Sequence, residues 1–307
     1  MKNIPDSARG LAESITWTAS KQTYLTIRFL ADRQRTQAAF RAYAYFRWVD
    51  DTIDQQETDL SARIEFVERQ KALVESLLRG EQPSSLSSEE TMLAELVCED
   101  CSADSGLRAY ITNMMAVMVF DVARRGRLIT QQELREYTRW LATAVTDCMH
   151  YFIGHDCASP HTPERYQAVT AAHIVHMLRD ACQDVPDGYI NIPSEILHTY
   201  GIRAQDFSSP AYRLWVRSRV ELARAYFKAG AHYLAQVENR RCRLAGYAYT
   251  ARFSAVLDII ERNGYFLKVS YPEVKRPGAA LRLSWQVLSL AMNSLHPAAA
   301  ARFRSEA

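Results

Sequence analysis

The sequence lacks several things that would have narrowed its function quickly. No apolar run follows the lysine of Met1-Lys-Asn-Ile-Pro-Asp, so a secretory leader is not expected. The longest candidate membrane stretch, around Met114 to Phe120, is far short of the roughly 20 residues a span needs. A formal charge of +2 with mixed signs leaves no basic stripe, which argues against nucleic acid as a partner. Six cysteines in 307 residues form no disulfide framework, and Cys98-x-x-Cys101 stands without a second pair or turn glycines, a poor metal site. Alternating strand patterns and repeats of fixed period are also missing. The expectation is a soluble, cytoplasmic protein, with an apolar content of 48% that is ample for a core.

Helical periodicity recurs almost throughout, and it predicts an all-α chain forming a single domain over residues 1–307. A first helix is expected from Ala8 to Phe29, and a second from Asp32 or Arg33 to Asp54. Ile64, Val67, Val74, Leu77 and Leu78 mark an amphipathic helix closed by Gly80. Ser87 with Glu90, and Thr130 with Glu133, have capping-box spacing and open helices through Leu96 and to Ile153. Another helix covers Gly106 to Val122. Thr162-Pro163-Glu164 reads as the start of a helix ended by the Pro186-Asp-Gly188 turn. Further helices are expected at Tyr212–Val237, Leu244–Asn263 and Ala279–Leu295, followed by a frayed tail.

Two stretches carry chemistry. In Arg41-Ala-Tyr-Ala-Tyr-Phe-Arg-Trp-Val-Asp-Asp-Thr-Ile-Asp54, Asp50 and Asp54 lie one helical turn apart and share a face. Like charges at that spacing repel, and more so where water is excluded, so a cation is expected with them. Mg²⁺ is the natural choice, because it takes carboxylate oxygens and fills its other positions with water and substrate phosphate. His173-Ile-Val-His-Met-Leu-Arg-Asp-Ala-Cys-Gln-Asp184 repeats the arrangement with Asp180 and Asp184. Each pair has an arginine ahead of it, Arg47 and Arg179. Facing each other across a helix bundle, the pairs would hold Mg²⁺ ions that clamp a diphosphate. Asp51 points about 100° away around its helix and is expected to be an ion-pair partner rather than a ligand. Asp121 is expected in a helix-end ion pair.

These stretches resemble the aspartate motifs of the squalene/phytoene synthase family. The likeness extends over Ser20-Lys21, Tyr24-Leu25, Ala42-Tyr43 to Asp54, Glu133-Leu134 with Tyr137, Gly154, Leu178-Arg-Asp180, Asp184, Gly188, Pro193, Leu257-Asp258 and Gly264-Tyr265. The resemblance implies an isoprenoid-synthase helical bundle with a central metal-lined cavity. It also implies a prenyl diphosphate substrate, Mg²⁺ on Asp50, Asp54, Asp180 and Asp184, and diphosphate oxygens held by Lys21, Arg47 and Arg179. A lipid-like substrate would bring the protein near a membrane.

Departures from the family pattern suggest a variant reaction. His173 and His176 stand where the family usually has glutamine and asparagine, and His176, one turn before Asp180, is a candidate base. Tyr189, Asn191 and Phe253 replace an arginine and two tyrosines, and Lys268 is the nearest cation to an absent arginine after Tyr265. Those positions help handle a second diphosphate. Their loss favours transfer of one prenyl cation to an aromatic, carbazole-like acceptor, as in phytoene-synthase-like prenyltransferases.

Tyr43, Phe46, Tyr151, Phe152, Tyr249 and Phe253 are candidate cavity walls for such a cation. His150, His155 and Asp156 join His176 as candidate bases. His150, His155, Asp156, Cys157 and His161 also collect zinc-ligand types within twelve residues, without a second anchoring pair. The alternatives are a head-to-head phytoene or squalene-type synthase, a single-substrate cyclase, and a non-catalytic binding protein.

Overall fold

The computed structural model describes residues 6–55, 59–100, 102, 104–155 and 157–275. Every regular element among them is helical: α1 (Asp6–Ala19), α2 (Lys21–Leu30), α3 (Thr36–Asp54), α4 (Leu60–Leu78), α5 (Ser88–Glu99), α6 (Gly106–Arg124), α7 (Gln131–Phe152), α8 (Gln167–Asp184), α9 (Ser194–Tyr200), α10 (Pro210–Gln236) and α11 (Arg240–Arg262). Short 3₁₀ turns cover Pro163–Tyr166 and Pro272–Lys275. No helix among the described residues is long and apolar enough to cross a membrane. The expected helix at Ala279–Leu295 and the tail lie outside the described residues, as does Cys101.

The chain divides into two compact units, one of residues 1–125 with 135–156, the other of 126–134 with 157–307. In the first unit α3 is central and packs against α1, α2, α4, α5 and α6. Ala38, Ala39, Ala42 and Ala44 let its neighbours approach, while Phe40, Tyr45, Phe46, Val49 and Ile53 fill the space between them. A polar chain crosses this core. Tyr45 Oη donates to Gln70 Oε1 (3.0 Å), and Gln70 Nε2 donates to Glu90 Oε1 (2.9 Å). Glu90 Oε2 in turn accepts from the Ser87 amide, closing the capping box that starts α5. Buried Arg41 reaches Glu95 and Glu99 and so fastens α3 to α5.

In the second unit α8, α10 and α11 pack pairwise around Val175, Leu178, Val216, Val220, Leu257 and Ile260. Helices α8 and α10 approach closely at Gly230, where an added Cβ would lie 2.7 Å from Ala168 Cβ and 2.8 Å from its backbone nitrogen. No larger residue fits there without parting α8 from α10.

Local reading from sequence needs four corrections. The first helix is broken at Ser20, whose extended backbone caps α2 while its Oγ accepts from Thr23 N (3.2 Å). α3 begins at Thr36, because the Asp32 carboxylate instead accepts from the amides of Gly154 and His155. The Thr162-Pro163 start gives only a 3₁₀ turn before α8. Ile64 is exposed rather than packed, although Val67, Val74 and Leu77 are buried as expected. Helix α9, seven residues long, has too little periodicity to be seen in sequence and was not anticipated.

Candidate functional site

The last turns of α3 place Arg47, Asp50, Asp51 and Asp54 within two turns of helix. Arg47 donates to Asp50 Oδ2 from Nη1 (3.1 Å) and to Asp51 Oδ2 from Nε (3.1 Å), so Asp51 is an ion-pair partner, as its position around the helix predicts. Asp50 is pushed up to about 7, first by burial and then by the Asp54 charge, with Arg47 opposing and Asp121 and Asp51 adding to the rise. Burial and the neighbouring negative charges outweigh the single arginine at this carboxylate.

Asp121 belongs to the same field although it comes from α6. Its Oδ1 accepts from Arg124 Nε (2.6 Å), the expected helix-end pair, and its Oδ2 accepts from the hydroxyl of Tyr137 on α7 (3.0 Å). Burial raises its affinity for a proton against the pull of Arg124 and Tyr137, and the Asp54 charge adds to the rise. The Arg124 guanidinium also lies 4.7 Å from the centre of the Tyr137 ring. Three carboxylates from two helices therefore sense one another, with one arginine and one phenol tied to the third. Sequence reasoning assigned no site role to Asp121, Arg124 or Tyr137. The only signals were the i,i+3 spacing of Asp121 and Arg124 and the family match at Tyr137.

The other residues expected in this unit are placed unequally. Tyr43 is half buried beside the cluster, its phenol raised by burial, lowered by Arg47 and by a hydrogen bond with Thr23 of α2, and raised again by Asp50. Phe46 packs edge-on to Tyr45 and Tyr110 in the core. Tyr151 and Phe152 are buried against each other, and Tyr151 also carries Arg35 over its ring at 4.0 Å. Lys21 is exposed, its Nζ 5.3 Å from the Trp17 ring centre. His155 meets Tyr151 edge-on at 5.0 Å, and Asp156 lies outside the described residues.

In the second unit α8 carries the other motif. Arg179 grips Asp180 with both carboxylate oxygens, Nε to Oδ1 at 2.7 Å and Nη2 to Oδ2 at 2.6 Å. His176 Nε2 lies 2.9 Å from Asp180 Oδ2, as the i,i+4 spacing predicts. Burial works to raise Asp180, but the hydrogen bonds from Arg179 and His176 and their charges hold it well below the usual carboxylate range. Asp184 Oδ2 accepts from Asn191 Nδ2 (3.0 Å). Phe253 of α11 is buried 6.3 Å from the His176 ring and 5.0 Å from Tyr249, whose phenol burial pushes up to about 12. His173 is buried in α8.

The donor set suits a hard cation. Among the described residues no three His, Cys, Asp or Glu side chains gather as a ready cage, and Asp156 of the run from His150 to His161 lies outside the described residues. Mg²⁺ needs no such cage, since one or two carboxylates with water and phosphate suffice. At Asp50 the two largest causes that raise the proton affinity, burial and the Asp54 charge, are those a bound cation would offset.

A family model described as squalene/phytoene synthase matches residues 17–279. The chain belongs to that family. A 15-cis-phytoene synthase of Synechocystis sp. is 25% identical over 178 residues, 52% of each protein, so the chain spans about half the length of this curated relative. Among solved structures, squalene synthase HpnC from Alicyclobacillus acidocaldarius is similar with a TM-score of 0.67 and 18% identity, over 86% of this chain and 98% of that one. A dehydrosqualene synthase in complex with ligand gives 0.70 and 17%, over 94% and 98%. At such identities the structural likeness shows the fold, the all-helical isoprenoid-synthase fold that the motifs led one to expect. Aromatic acceptors find no support among these relatives, and the head-to-head alternative fits them better.

Proposed function

We propose that the chain is a Mg²⁺-dependent prenyltransferase that joins two prenyl diphosphates head to head, with both units serving one reaction as a single domain. The reading rests on the family match together with a half-buried Asp50 whose proton affinity is raised by burial and by the Asp54 charge. Asp50 and Asp54 would hold Mg²⁺ in one motif, Asp180 and Asp184 in the other. When bound, Mg²⁺ supplies charge neutralisation for the departing diphosphate. Arg47, Arg179 and Lys21 bind the remaining phosphate oxygens. The allylic carbon–oxygen bond of one substrate breaks with its electron pair leaving on the diphosphate, the cation bonds to the double bond of the second substrate, and the second diphosphate then leaves. Two diphosphates and two protons are thus released per hydrocarbon, while buried aromatic side chains shield the cations.

The motifs differ in readiness. Asp180 already has Arg179 and His176 as partners, whereas Asp50, with Arg47 beside it, is raised by burial and by the charges of Asp54, Asp121 and Asp51. Arg179 must therefore exchange Asp180 for diphosphate during the reaction, and His176, hydrogen-bonded to Asp180, is the candidate to accept a proton.

Transfer of a single prenyl cation to an aromatic acceptor is the second reading. It is favoured by Lys268, which is paired with Glu273 (2.9 Å), by Asn191, which is bonded to Asp184, and by Phe253, which lacks a hydroxyl. Incubation with farnesyl or geranylgeranyl diphosphate alone, with Mg²⁺, decides between them. A hydrocarbon of twice the chain length supports the proposal. No product until an aromatic acceptor is added supports the second reading, and turnover indifferent to EDTA and to Asp50→Asn overturns both.

A further inference from the structure

Helices α1 and α2 present an outer face that nothing in the first unit covers. Trp17, Leu25 and Phe29 are 46%, 46% and 72% exposed, and with Lys21 they follow one another at four-residue intervals. Single exposed apolar residues need no explanation, but three large ones within thirteen residues form a patch. Among exposed residues from Gly10 to Gln34 the charged ones are Lys21, Arg28 and Arg33, all cations. The two acids of the stretch are turned to the protein. Glu13 accepts from Gln37 Nε2 (3.0 Å), and Asp32 accepts from the Gly154 and His155 amides.

The face is held firmly from beneath. Trp17 meets Tyr24 edge-on at 5.1 Å, Tyr24 meets Phe40 of α3 at 5.1 Å, and Ile27 is buried. An aromatic and aliphatic patch whose own stretch exposes only cations among its charged residues is the complement of an anionic lipid surface, with rings at the headgroup boundary and basic side chains at the phosphates. We infer that the α1–α2 face docks the protein on anionic membranes through Trp17, Leu25 and Phe29, with Arg28 and Arg33 supplying the charge. The inner side of α2 has a separate partner, because Thr23 hydrogen-bonds Tyr43, which feels Arg47 and Asp50.

The inference does not depend on the proposed reaction, and its test needs no turnover. Purified full-length protein is floated with vesicles of phosphatidylglycerol and with vesicles of phosphatidylcholine at low and high salt. Binding to phosphatidylglycerol vesicles that high salt weakens is expected. Leu25→Ser with Phe29→Ser should lower the bound fraction at least tenfold. Arg28→Gln with Arg33→Gln should lower it by roughly fivefold per cation at low salt, with little change on phosphatidylcholine. Both variants alter exposed side chains, and unchanged helical circular dichroism and unfolding temperature establish that they fold. Wild-type protein that fails to float, or a serine variant that floats equally well, overturns the inference. So does a wild-type dimer in sedimentation that the serine variant dissolves, since a second copy would then be the occupant.

Discussion

Replacing Asp50 by Asn should make the metal-free protein more stable, although it removes a residue proposed to be essential. Asp50 is raised from an ordinary aspartate value to about 7, chiefly by burial and by Asp54. A shift of about three units corresponds to roughly 4 kcal/mol of preference for the neutral form. The side chain is 35% exposed, so solvent screening reduces this to about 2 kcal/mol. Losing the Arg47 contact costs at most about 0.5–1 kcal/mol, because Arg47 keeps Asp51.

The direction with pH follows from the raised value. In the fold Asp50 resists ionisation, so its contribution is most favourable below pH 4 and is lost as pH rises to about 7. Asp50→Asn should therefore gain about 1–2 kcal/mol at pH 8, a few degrees in unfolding temperature, and nothing at pH 4. Thermal unfolding in EDTA across pH 4–8 measures this, and added Mg²⁺ should narrow the gap by stabilising only the wild type. An Asp50→Asn protein that is equally or less stable at pH 8, or whose gain is the same at pH 4, would refute the electrostatic reasoning.

Arg179→Met should act in the opposite sense. Asp180 is held low mainly by Arg179 and His176 against the pull of burial, so its contribution is present above about pH 4 and fades as pH falls through its depressed range. The variant should be less stable than wild type at pH 7 and converge with it in acid, which urea unfolding at the two pH values would show; parallel curves would contradict it. Gly230→Ala should destabilise by about 1–3 kcal/mol, because its Cβ would meet the Ala168 backbone, which cannot swing aside. Denaturant unfolding of this variant checks the closeness of α8 and α10, and a neutral result would mean the helices sit farther apart.

What was legible in the sequence was local. The Ser87–Glu90 and Thr130–Glu133 boxes are formed because a cap and its partner are three residues apart whatever surrounds them. His176 meets Asp180 for the same reason, since one turn of helix brings i and i+4 together. The helical class followed from such spacings, and the family from the resemblance of the two aspartate stretches to known motifs. Where the chain leaves a helix was harder to read: Ser20 ends α1 by capping α2, and the apolar spacing across the break gives no warning of it.

The tertiary structure alone decided which distant groups share a field. Asp121 and Tyr137 are sixteen residues apart on different helices, and only packing in the first unit joins their oxygens and sets Asp121 within reach of the Asp54 charge. It likewise decided that Leu25 and Phe29 face outward while Ile27 faces in, because Tyr24 and Phe40 fix the roll of α2. Spacing determines which side chains share a helical face. Burial and the charges of neighbouring elements determine what that face meets, and in this protein they separate the crowded Asp50 from the fully partnered Asp180.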